Sequence, residues 1–158
     1  DYTYRLNSGT RHSYSNWSMG STTWGSEDGY THNSTDDFVA YCWQNVSGMQ
    51  HFGSYIGNGN SNGPVIYTGF RPRLIFTLQD NSSSGWRVRD TERDTFNPSD
   101  SIVWWNRSDR QYDSTGYNID IFSNGFKITN GASDFNTSGT TYFYGAWGDV
   151  PFKYNNTF

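Results

Sequence analysis

Residues that build helices are almost missing from this chain, and that absence constrains its fold more than any motif does. Among 158 residues there are three leucines (Leu6, Leu74, Leu78), three alanines (Ala40, Ala132, Ala146) and two glutamates (Glu27, Glu92). These residue types lose little freedom in a helix, and without them a helix of ordinary length has little to sustain it. Aromatic residues reach 19% of the chain, and Gly, Ser, Thr and Asn dominate the rest. That mixture suits pleated strands joined by many turns. An all-β fold is expected, and the length allows a real core within one domain.

Period-two alternation marks candidate strands at 37–44, 50–56, 64–70, 73–79, 85–91, 101–105, 117–122, 125–129 and 140–147. Polar turn clusters separate them, and Asn124-Gly125 between two apolar runs signals a hairpin because both residues tolerate positive φ. Many short strands at such spacing predict an antiparallel two-sheet β-sandwich. Alternation buries Ile119 with Ile121 and Phe126 with Ile128. It also places Trp86 and Val88 on the core face, with Arg87 and Arg89 outward. In the last strand Tyr142, Tyr144 and Ala146 share one face, and Phe143 and Trp147 the other. Two aromatic faces predict a strand that is central or covered on both sides, the second by an intermolecular contact.

That last strand, TTYFYGAW at 140–147, is echoed by DDFVAYCW at 36–43. Only one sandwich-sized unit lies between the two segments, so the echo reads as one domain with borrowed edges. The expected division is an N-terminal arm or partial strands at 1–35, a sandwich at 36–152 and a tail at 153–158.

A net charge of −4 and a pI near 5.1 argue against nucleic acid as a partner. No segment has the length and apolarity of a transmembrane helix, so no membrane insertion is expected. Cys42 is the sole cysteine, which excludes an internal disulfide, and its apolar neighbours predict a buried, inert thiol.

Chemistry has few footholds. Asp90, Glu92 and Asp94 would align three carboxylates on a strand, as glycoside hydrolysis needs. Arg93 interrupts them, however, and a salt-bridged strand end is the competing reading. Asn58, Asn60 and Asn62 with Gly63 have calcium-loop spacing, but amides replace the carboxylates that calcium requires. His12, His32 and His51 lack metal-ligand spacing, and neither a nucleophile elbow nor a phosphate loop occurs. Asn-x-Ser/Thr sequons at Asn16, Asn33, Asn45, Asn81, Asn106, Asn136 and Asn155 largely follow from composition. No catalytic residue, metal or cofactor is assigned. The better clue is aromatic residues in polar surroundings, namely Trp24, Trp104, Trp105 and Tyr112. Flat rings stack on sugar faces while nearby amides and acids bond hydroxyls. The same rings could equally seal subunit contacts or the sandwich edge.

A family resemblance rests on an ordered motif set. It runs through VAYCW at 39–43, GSYIGNG at 53–59, YTGFRP at 67–72, GWRVRDTER at 85–93, Asn97-Pro98, DIFSNGFK at 120–127 and NTSGTTY at 136–142. From Phe38 to Phe152 the chain thereby resembles a module of tail-fibre and virion-surface proteins of tailed phages, especially marine ones. That module is a concanavalin-A-like, laminin-G-type sandwich of jelly-roll type. The family often has a lysine-rich strand after its Phe-Arg-Pro element, where this chain carries the uncharged LIFTLQ at 74–79. The resemblance implies a virion-surface, extracellular location and a structural or adhesive role as fibre or capsid decoration. Implied partners are other copies of itself, neighbouring virion proteins and host-surface glycans, and no catalytic residues carry over. A polysaccharide-degrading sandwich hydrolase using Asp90, Glu92 and Asp94, and a secreted cellular adhesin, stay open as alternatives.

Overall fold

A computed structural model describes residues 17–19, 24–26, 43–80, 85–131 and 135–149. The chain divides into two compact units, 1–43 and 44–158. In the first, β1 (Trp17–Met19) and β2 (Trp24–Ser26) pair antiparallel. Most of the expected strand at 37–44 and all of the tail at 153–158 lie outside the described residues.

Among its described residues the second unit holds nine strands in two antiparallel sheets. They are β3 (Gln50–Ile56), β4 (Val65–Tyr67), β5 (Pro72–Gln79), β6 (Arg87–Asp90), β7 (Ser101–Trp104), β8 (Tyr112–Asp113), β9 (Ile119–Phe122), β10 (Gly125–Ile128) and β11 (Thr141–Gly148). One sheet runs β3-β11-β5-β6-β7-β8 and the other β4-β10-β9. Among the described residues the sole helical turn is a 3-10 turn, Thr115–Tyr117, and no helix is long and apolar enough to cross a membrane.

The two sheets share a core, which is what makes this a β-sandwich. Tyr55, Ile75, Tyr142, Tyr144 and Ala146 from the large sheet meet Ile66, Ile119, Ile121, Phe126 and Ile128 from the small one. The expected alternations in β9, β10 and β11 therefore hold. β11 lies between β3 and β5 along its length, so it is an inner strand with side chains packed on both faces. The hairpin at 119–128 forms, but its two turn residues are Ser123 and Asn124. Gly125 is already in the strand, where a Cβ would sit 2.0 Å from the Ile66 carbonyl oxygen. Its role is to admit β4, not to turn the chain.

One alternation is reversed. Thr77 pairs with Arg87 and Ile75 with Arg89, so both arginines point between the sheets, 1% and 2% exposed. Val88 faces the opposite way and is buried there too. Hydrophobicity cannot choose the side when both faces of a strand are covered. Here the arginine side also offers rings and carbonyls. The Arg87 guanidinium lies 5.1 Å from the Trp104 ring centre and 5.4 Å from that of Tyr117. Arg89 sits 5.3 Å over Phe135 and donates to the carbonyls of Ser99 and Tyr117. Such contacts offset much of the cost of desolvating a guanidinium.

Candidate functional site

Trp104 and Trp105 are neighbours in sequence and lie on opposite faces of the large sheet. Pairing of Trp104 with Arg87, and of Ile102 with Tyr112, places Trp104 and Tyr112 on the face that looks toward the small sheet. Trp105 lies one residue beyond β7, its amide donating to the Trp86 carbonyl at 3.0 Å. Its ring packs on the outer face, 5.4 Å from Phe76 and 6.3 Å from Trp147, and Phe52 joins the same cluster. The expected grouping of these residues thus divides by face. Trp24 is in β2 of the other unit, and its side chain lies outside the described residues.

On the inner face, at the β8 end, an open depression of about 340 Å³ is lined by Trp104, Asp109, Arg110, Tyr112 and Tyr117. Local chemistry explains its walls. Ser114 accepts from the Gly116 amide at 3.2 Å through its side chain and from the Tyr117 amide at 3.0 Å through its carbonyl. This tight turn returns the chain so that Tyr117 meets Tyr112 edge to face, with centroids 6.1 Å apart. Tyr112 is 51% exposed on a two-residue edge strand and offers its ring to solvent. Trp104 is more engaged, because the Arg107 guanidinium lies 4.5 Å from its ring centre in addition to Arg87. It therefore acts as a polarised wall, and Tyr112 is the free stacking surface.

Charges around the depression are uneven. Asp109 stands 3.9 Å from Arg107, and Arg110 makes no ion pair among the described residues. Deeper in, burial pulls the Arg89 guanidinium down to about 9, with Arg87 pushing the same way, so it still carries its proton at neutral pH. Burial pushes the Tyr55 phenol far above its ordinary range, and its hydroxyl donates to the Phe135 carbonyl at 3.0 Å.

The acidic segment is a salt-bridged strand end. β6 stops at Asp90, so the three carboxylates do not share a strand face. Arg73 contacts Glu92 at 2.5 Å and Asp90 at 3.6 Å. The Asp94 carboxylate accepts from the amides of Asp100 and Ser101 at 2.7 and 3.0 Å. Asp90 and Arg93 border a gap of about 10 Å³, no larger than a water molecule requires. Farther on, hydrogen bonds from Ser101 and Gln111 hold the Asp113 carboxyl below its ordinary value.

The loop at 58–63 spends its amides internally. Asn58 and Asn60 side chains accept from the amides of Asn60 and Asn62 at 3.0 and 2.8 Å, and Lys127 Nζ donates to Asn62 at 2.6 Å. At its centre lies the fully buried Asn136, whose amide nitrogen reaches Asn58 Oδ1 and the Asn60 and Asn130 carbonyls. One buried amide thus organises a loop whose spacing resembles a calcium site, and this Asn136 has no side chain to offer a glycan. His51 Nδ1 lies 2.9 Å from the Tyr144 hydroxyl, and no cluster of three or more His, Cys, Asp or Glu side chains is placed to hold a metal among the described residues.

Sequence reasoning missed Tyr117, Asp109, Arg110 and the backing role of Arg87. The period-two rule applied to Trp104 could have found Arg87 once the pairing of β6 with β7 was known. Nothing local marks Tyr117, whose place depends on a turn that brings it across from Tyr112.

Residues 2–151 match the model of a family described as a domain of unknown function, DUF7483. No curated protein and no solved structure matches the chain.

Proposed function

The chain belongs to the DUF7483 family, and we propose that it is a non-catalytic adhesion module that binds a glycan in the depression beside Tyr112. One observation carries this reading. An exposed tyrosine ring, two further aromatic walls, a carboxylate and a guanidinium converge on one open cavity of about 340 Å³. A sugar ring presents an apolar face for stacking and hydroxyls for the charged groups at the rim, and an open depression suits a chain end or a surface-exposed residue of a polymer. The particle-surface setting, in a phage tail fibre or capsid decoration with other copies and neighbouring virion proteins as partners, is supported by the ordered motif resemblance between Phe38 and Phe152. Its test is the binding of the purified chain to a glycan array, with Tyr112→Ala as the control. Hits that weaken about tenfold or more in the variant are expected, as loss of a stacking ring predicts. An array without hits, or hits indifferent to Tyr112, would remove the glycan from this site.

A further inference from the structure

From the charges around the depression, we infer that its ligand is an anionic sugar, one bearing a carboxylate or a sulfate, with Arg110 as the specificity-determining contact. The inference rests on the glycan reading above and deepens it.

The chain carries a net charge of −4, so an exposed arginine without an ion pair among the described residues runs against its overall balance. The depression is lined by one guanidinium and one carboxylate, and two further guanidiniums lie against its aromatic walls. Arg110 lines it and is exposed; Arg107 lies over the Trp104 ring; Arg87 lies behind both Trp104 and Tyr117. Against them stands Asp109. The Asp109–Arg107 separation of 3.9 Å, with side chains 59% and 40% exposed, is a loose, solvent-screened pairing. Arg110 is the one guanidinium of the three that lines the cavity, and it has no ion pair among the described residues.

A neutral sugar gains little from Arg110, whereas a carboxylate or sulfate gains a two-pronged hydrogen bond to it. The rings still supply stacking, so the site reads two properties of one ligand: a sugar face against Tyr112 and an acidic group toward Arg110. Asp109 then serves to reject uncommitted anions, since a small ion cannot stack and meets the carboxylate without compensation.

The experiment uses one array holding uronate, sulfated, sialylated and neutral glycans, probed with the wild type, Arg110→Gln and Asp109→Asn. Both substitutions fall on exposed loop residues and leave the core intact. Hits confined to anionic glycans are expected, weakened about tenfold by Arg110→Gln and strengthened a few-fold by Asp109→Asn, with a steep loss at high salt. Opposite responses of two neighbouring residues separate recognition from mere disturbance of the loop. Carboxylate-only or sulfate-only hits name the acidic group, and either supports the inference. Neutral glycans bound as well as anionic ones, with affinity unchanged in Arg110→Gln, would overturn the charge inference and leave the glycan reading standing. No hit in any class would overturn both.

Discussion

The two faces of the large sheet use aromatic residues in opposite ways. On the outer face Phe52, Phe76, Trp105 and Trp147 touch one another with centroids between 5.3 and 6.5 Å apart. These rings are partners of rings, and their work is packing. On the inner face, toward β8, Trp104 and Tyr117 are partners of guanidiniums, and Tyr112 keeps half its surface in water. Adjacent tryptophans therefore belong to different machinery, and the side on which a ring falls decides whether it seals or recognises. That contrast can be attacked at several strengths.

The largest effect is expected where the inner face holds its buried charge. Arg89→Ala would remove a donor from the carbonyls of Ser99 and Tyr117 and leave a guanidinium-sized cavity beside Phe135. A loss of about 3–5 kcal/mol follows from the cavity and the lost hydrogen bonds together. Arg89→Met keeps most of the volume and removes the desolvation cost of the charge, so it should lose less than half as much. Urea unfolding of both variants checks this; equal losses would mean that the hydrogen bonds, not the packing, dominate.

On the outer face the corresponding weak point is a glycine. A Cβ on Gly145 would stand 2.3 Å from Phe76 Cε1 and 2.7 Å from Phe52 Cε1, so the rings close over the bare backbone. Gly145→Ala should cost about 1–3 kcal/mol by overpacking. Thermal melts would read it, and a neutral result would show that the outer rings move aside freely.

A direct separation of the two faces comes from truncating one ring on each. Trp105→Ala removes contacts to Phe76 and Trp147 from a ring 48% exposed, a loss of about 1–2 kcal/mol with glycan binding untouched. Tyr112→Ala should leave stability within about 0.5 kcal/mol while abolishing most of the binding. If both variants lost binding equally, the division by face would fail.

What the sequence made legible follows the same line. The scarcity of Leu, Ala and Glu announced strands, and alternation placed Ile119, Ile121, Phe126, Ile128 and the two faces of β11 correctly, because each pattern has one wholly apolar side. Trp86-Arg87-Val88-Arg89 has a wholly apolar side too, but both faces of its strand are covered, so that side does not settle the matter. Its alternation is equally regular in either orientation, and the outcome depends on Trp104, Tyr117 and Phe135, which are distant in sequence. The candidate site was half legible for the same reason. Trp104 and Tyr112 stood out as rings in polar company, while Trp105 looked identical to Trp104 until the register of β7 separated them. Tyr117 and Arg110 join only through tertiary closure, which no local window contains.

The smallest effect tests the buried charge without removing it. Burial holds Arg89 at about 9 in the folded chain, against 12.5 for the free group. Below about pH 9 both states carry the proton, so the cost of burying it is constant. Between the two values the unfolded chain binds more protons than the folded one, and stability rises with pH. Tyr55 opposes this above its ordinary value of 10.0, since the unfolded phenol ionises there and the buried one does not. The wild type should therefore gain up to about 1 kcal/mol between roughly pH 9 and 10 and then level off, because above pH 10 the two opposite slopes cancel. Arg89→Met should lose the rise and decline above pH 10, and Tyr55→Phe should go on rising above pH 10. Urea midpoints measured across this range would show it. A wild-type curve flat up to pH 10 would mean that the guanidinium keeps its ordinary affinity for the proton, and that the rings and carbonyls around it compensate fully for the lost water.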